Sequence, residues 1–210
     1  MLVIISLSVH EAAHAWVAWL RGDDTAKSMG RMTVNPLVHI DPFMTIILPA
    51  ITIYTAGFLF GGAKPVPVMP SNFKNPNRDN ALVAVAGPIS NLLLALFFFG
   101  TANVLVRFDF YDLDQLLPKL MFAAGFANVI LAVFNMLPIP PLDGSRVVSW
   151  LLPRDLRQSY DALERFGLLI IVGLFMGVPS FGNMVRKTIQ TVTLYLASWV
   201  DAIMGLLPNL

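Results

Sequence analysis

Four stretches of the chain contain no Asp, Glu, Lys or Arg: residues 43–63, 80–106, 120–142 and 166–185, which are 21, 27, 23 and 20 residues long. An apolar run of about 18 residues or more is long enough to cross a bilayer as a helix. Residues 1–20 add a further helix of about 30 Å, ending on Trp16, Trp19 and Arg21, residue types that favour the membrane interface. Polar stretches separate these runs. They are residues 21–42, a Pro- and Asn-rich piece at 64–79, a loop with Asp109, Asp112 and Asp114, and a charged, partly helical piece at 143–165. In the tail, Ile189, Val192, Leu196, Val200, Ile203 and Leu207 recur at three- and four-residue spacing over residues 188–207. That stripe fits an interfacial helix or a last span packed on its neighbours. The pattern predicts an all-α polytopic membrane protein, a helical bundle of about four to six membrane segments.

Composition agrees. Of the 210 residues, 56% are hydrophobic and 13% charged, about half the charge of a soluble domain, and the mean hydropathy is +0.69. No repeat, low-complexity tract or charged linker divides the chain. We therefore expect one integral membrane domain over residues 1–210, with a core at 1–144 and C-terminal helices at 145–210. The absence of cysteine excludes disulfides and thiolate zinc ligation. A net charge of +1 gives no case for a nucleic-acid partner. The first apolar stretch lacks a basic n-region and carries His10, Glu11 and His14, so it is expected to remain in the mature protein.

His10-Glu11-Ala12-Ala13-His14 is an H-E-x-x-H motif on a predicted helix. Residues at i and i+4 share a helix face, so both imidazoles can reach one zinc ion while Glu11 reaches a water on it. The plain alternative is three polar groups facing a protein-filled bundle. Three ionisable groups within five residues of a membrane helix are costly, and that favours a functional site. A catalytic zinc usually has three protein ligands, and two candidates present themselves for the third. His39 lies 25 residues after His14, where a structural role, as an interface hydrogen bond or in a turn, is favoured over ligation. Asp143 ends the run 120–142, where Pro138, Pro140 and Pro141 break the helix and fix the carboxylate's depth; its alternative role is to cap a helix starting near Ser145.

With these residues in view, the chain resembles the site-2 protease family of intramembrane zinc metalloproteases, in its compact bacterial and archaeal branch. Three motifs carry the resemblance in order: His10-Glu11-x-x-His14, Gly87-Pro88-x-x-Asn91, and Asn135-x-x-Pro138-x-Pro140-x-Leu142-Asp143-Gly144. Asn35-Pro36-Leu37-x-His39-Ile40-Asp41-Pro42 and Ala63-Lys64-Pro65-Val66-Pro67-Val68 add to it, whereas nothing resembles the PDZ or CBS modules of longer relatives. The resemblance implies one Zn2+ per chain held by His10, His14 and Asp143, Glu11 as catalytic acid/base, and a membrane-spanning or membrane-bound protein as substrate. Two other readings are a metal transporter, which would not need Glu11 as a base, and an inactive homologue acting as a binding protein, against which the intact quartet argues.

Loop charges constrain the topology. If residues 43–63 cross fully, Lys and Arg divide seven to seven between the two sides, and Asp143 lies opposite the end of the first helix. If the stretch dips in and returns, they divide ten to four and Asp143 falls on the His14 side. The positive-inside rule therefore favours a short re-entrant or extended element between the first two core helices, with the site nearer the cytoplasm of a prokaryotic cell membrane. For the oxyanion of peptide hydrolysis the neutral donors considered are Asn135, taken as two helical turns before Asp143, and Asn91 on the neighbouring helix; either could instead join helices. Pro65 and Pro67 would blunt one edge of a strand and leave Val66 and Val68 free to pair with a substrate or a neighbouring segment. The sequence does not specify the substrate, cleavage position or oligomeric state.

Overall fold

A computed structural model describes residues 2–47, 50, 51, 54, 61–108, 110–112 and 114–206. The elements, in order, are α1 (Leu2–Leu20), two short helices α2 (Thr25–Ser28) and α3 (Pro36–His39), a π-helical turn (Pro42–Ile47), and a 3-10 turn (Pro70–Asn72). Then come α4 (Pro76–Arg107), α5 (Leu116–Asn135), α6 (Asp143–Leu151), α7 (Arg154–Asp161), α8 (Gly167–Gly177) and α9 (Pro179–Gly205). No strand forms among the described residues. By length and composition α1, α4 and α5 can each cross a membrane, and the bent pair ending in α9 can supply a fourth span.

Helix α1 is polar inside and apolar outside. It buries Ser6, Ser8, His10, His14, Ala15 and Ala18 while exposing Val3, Ile5, Trp16, Trp19 and Leu20. Lipid is as apolar as the exposed side chains, so small and polar residues turn to the protein side, where they find partners. Helix α4 runs alongside α1, α5 and α9 and is the centre of the bundle. Pro76 opens it at N1, where a missing N–H costs nothing. Its start is tied to the end of α1 by Arg21, whose Nε and Nη2 donate to the buried Asp79 Oδ1 (2.9 and 2.5 Å). Gly125 lets α5 approach α4 closely, since a Cβ there would lie 2.5 Å from the Phe99 ring.

The tail stripe packs on its neighbours: Ile189, Val192, Leu196, Val200 and Met204 close over Ala95, Phe99 and Val129. Its described members belong to the 27-residue α9, not to a separate element, and Leu207 lies outside the described residues. The expected continuous span over 166–185 is corrected: the helix breaks at Val178, and the helical run ending at Gly177 and α9 meet at 95°. Pro179 has no N–H to continue the ladder and disfavours helical geometry at the preceding residue; Val178 lies at φ −127°, ψ 85°.

Residues 48, 49, 52, 53 and 55–60 of the expected re-entrant stretch lie outside the described residues, as does Asp109 in the acidic loop. The ends of that stretch meet. The Thr45 hydroxyl donates to Gly62 O (2.9 Å), and Lys64 N–H donates to His39 O (2.8 Å).

Candidate metal centre

The site joins the middle of α1 to the first residue of α6. His10 and His14 lie one turn apart on the buried face of α1, their rings edge to face with centroids 4.5 Å apart. Asp143 reaches them because the chain doubles back after Asn135. Leu137, Ile139 and Leu142 anchor that turn in a cluster with Ile171 and Val185, and Tyr160 Oη donates to Pro138 O (2.9 Å). Gly144 permits the fold-back, since a Cβ there would lie 2.2 Å from Met136 O.

Three ligand atoms converge. His10 Nε2 and His14 Nε2 are 2.9 Å apart, and Asp143 Oδ2 is 3.2 Å from the first and 3.4 Å from the second. Bonds of about 2.1 Å in a tetrahedral zinc site set ligand atoms about 3.4 Å apart, so these edges are within about half an ångström of that geometry. The proton arrangement asks for a cation. His10 Nδ1 lies 2.6 Å from Asn91 Oδ1, and His14 Nδ1 lies 2.7 Å from Val83 O; both partners are acceptors. In the neutral imidazoles each proton then sits on Nδ1, and two bare Nε2 lone pairs face a carboxylate oxygen that is buried with no hydrogen-bond partner. Positive charge must sit among them, and the donor set and spacing suit zinc.

Glu11 lies beside the trio, and its Oε2 accepts the Val66 N–H (2.9 Å). This revises the expected strand edge: the Val66 donor goes to Glu11, in an extended segment without a ladder. That segment is tied down from several directions. Arg31 Nη2 donates to Lys64 O (2.8 Å). The buried Asp23 carboxylate accepts from Met69 N (2.7 Å), Asn72 Nδ2 (2.8 Å) and Thr25. Burial alone would raise the Asp23 pKa, but these hydrogen bonds outweigh it and hold the carboxyl below its ordinary value.

The other candidates lie differently. His39 stands apart from the trio, with Nε2 donating to Thr33 O (2.8 Å). Asn91 commits its oxygen to His10 and its amide nitrogen to Asn128 Oδ1 (2.9 Å). Asn135 donates to Leu131 O (3.0 Å), and the seven residues after it are a turn, so the two-helical-turn spacing to Asp143 does not apply. Gly87, named from sequence only as part of a motif, has a role that sequence reasoning did not supply: a Cβ there would lie 2.4 Å from His14 Nε2 and 2.5 Å from His10 Cε1. Sequence reasoning missed Asn128, whose signal was available as an amide inside a charge-free run.

Residues 1–112 and 111–178 match peptidase family M50. The chain belongs to that family. It is the site-2 protease family that the three motifs resemble. YwhC of Bacillus subtilis (strain 168), provisionally named a zinc metalloprotease, is 40% identical over 183 residues, covering 83% of this chain and 78% of that protein. Rip2 of Mycolicibacterium smegmatis, named in the same way, is 31% identical over 82% of this chain, which spans 64% of Rip2's length. A Methanocaldococcus jannaschii relative, also provisionally named a zinc metalloprotease, is 38% identical over 73 residues. No solved structure matches.

Proposed function

We propose that this M50 family member is an intramembrane zinc metalloprotease that hydrolyses peptide bonds of membrane-spanning or membrane-bound proteins. The observation that carries the reading is the convergence of His10 Nε2, His14 Nε2 and Asp143 Oδ2 beside Glu11 on an apolar, span-length helix. His10, His14 and Asp143 hold one zinc per chain. Zinc, when bound, supplies Lewis acidity that brings the pKa of a water to about 7 and polarises the scissile carbonyl. Glu11, fixed through Oε2 by the Val66 N–H, uses its other oxygen to take a proton from the attacking water. It passes that proton to the amine nitrogen as the C–N bond breaks. Asn91 positions His10 by accepting its Nδ1–H, a role its geometry favours over oxyanion donation. Asn135 keeps the oxyanion role, its amide having a second N–H to offer beyond Leu131 O. The multi-pass chain sits in the bilayer of a prokaryotic cell with the site nearer the cytoplasm, a reading supported by the ten-to-four division of basic residues and by the joined ends of the 43–63 stretch.

Glu11→Gln tests the assignment: it removes the base and keeps both histidines. The variant is expected to bind zinc as the wild type does and to leave a reconstituted membrane-protein substrate uncut. Retained hydrolysis would overturn the role given to Glu11.

A further inference from the structure

We infer that Asn128 is a positioning residue for the metal centre, setting the tautomer of His10 from one helix away. The inference rests on the zinc reading above and adds a residue that touches neither metal nor substrate. A chain of hydrogen bonds runs from α1 through α5 and α4 back to α1. Ser6, Asn128, Asn91 and His10 are its members, none more than 4% exposed, so no solvent can substitute for a missing partner.

The direction of every bond in this chain is fixed from its far end. Leu2 O and Ala124 O are backbone carbonyls, which only accept. The Ser6 hydroxyl gives its one proton to Leu2 O (3.0 Å), so towards Asn128 it can only accept. Asn128 lies 2.9 Å from both Ser6 Oγ and Ala124 O, so the group on that side must be its amide nitrogen. Its carbonyl oxygen is thereby turned to Asn91 and accepts from Asn91 Nδ2 (2.9 Å). Asn91 in turn has only its oxygen left for His10, and His10 must donate from Nδ1 (2.6 Å). The lone pair is then on Nε2, the atom 3.2 Å from Asp143 Oδ2. His14 reaches the same state in one step, through Val83 O.

Without the acceptor at 128, the Asn91 amide can rotate and offer its NH2 to His10 Nδ1. That stabilises the tautomer with hydrogen on Nε2, which cannot ligate. Asn128→Leu is the test. Loss of a partner behind a ligating histidine typically weakens metal affinity about 10- to 100-fold, and that is the shift expected in zinc Kd from chelator competition on the purified, zinc-loaded protein. Asn128→Asp, neutral at that depth, keeps an acceptor for Asn91 and a donor for Ser6 or Ala124 O, and is expected to stay within about threefold of wild type. Asn103→Leu removes a different interhelical bond, from α4 to Asp201 on α9. It is expected to lower thermal stability while leaving zinc Kd unchanged, which separates positioning from simple helix joining.

A second measurement needs no variant. In zinc-loaded protein labelled with 15N at its three histidines, His10 is expected to carry its proton on Nδ1 and the metal on Nε2. An unchanged zinc Kd in Asn128→Leu, or metal on Nδ1 of His10, would overturn the inference while leaving the zinc site intact. Failure of the wild type to bind zinc would instead overturn the reading beneath it.

Discussion

Gly87→Ala adds one methyl group to α4 and is expected to destroy the metal centre. The added Cβ would lie 2.4 Å from His14 Nε2, 2.5 Å from His10 Cε1 and 2.6 Å from His10 Nε2, whereas ordinary contact begins at 3.4 Å. One or both rings must therefore retreat by about 1 Å, and metal sites tolerate errors of only about 0.2 Å in ligand position. Neither ring is free to swing, because Asn91 Oδ1 holds His10 Nδ1 and Val83 O holds His14 Nδ1. Alternatively α4 must move, and it is packed against α1, α5 and α9. We expect zinc affinity to fall by more than about 100-fold, beyond the usual loss from a perturbed supporting residue. Gly100→Ala serves as the control in the same helix. A Cβ there meets nothing within 4 Å, and alanine's helix preference should stabilise the protein by about 0.5–1 kcal/mol. The assay is chelator competition followed by metal analysis of both purified variants. Zinc affinity in Gly87→Ala within a few-fold of wild type would refute the packing at the centre.

His39→Ala is expected to keep one zinc per chain while losing about 1 kcal/mol of stability through the lost bond to Thr33 O; loss of metal would make His39 a ligand. Single cysteines at Ser28, Ser71 and Asp114 probe topology in a chain with no native cysteine. An impermeant thiol reagent applied to intact cells should label only position 114, and labelling of 28 and 71 from opposite sides would refute the joined ends of the 43–63 stretch. Asp23 has a folded pKa below its unfolded one, so its ionisation stabilises the fold above the ordinary carboxylate range, and that contribution is lost as pH falls through the depressed value. The Tm advantage of wild type over Asp23→Asn should accordingly shrink on acidification, and a gap independent of pH would refute the clamp on Met69 and Asn72.

The spans of α4 and α5 were legible because a membrane helix announces itself by uninterrupted absence of charge, a local signal needing no tertiary information. The same rule misled at 166–185, where the run of uncharged residues continues through Val178-Pro179 but the backbone cannot. The paired histidines could be read from helical periodicity alone. Asp143 could not, since it meets α1 across 133 residues of chain; the prolines before it and the loop charges favoured it, and the motif resemblance implied it over His39. Spacing failed for Asn135, where helical geometry was carried through the prolines that end the helix. The hydrogen-bonded chain from Ser6 to His10 was out of reach for a different reason: a lone amide in an apolar run signals a partner but does not say which. The expectation that residues 43–63 dip in and return rests on loop charges, because they register which side of the membrane each loop occupies.

The central claim is that His10, His14 and Asp143 together hold one zinc ion. It is tested most directly by metal analysis of the purified protein, wild type against Asp143→Ala, after dialysis against a weak chelator. The geometry predicts about one zinc per chain in the wild type and a small fraction of that in the variant, because two imidazoles leave a zinc site one protein ligand short. Equal zinc in the two proteins would contradict the three-ligand centre.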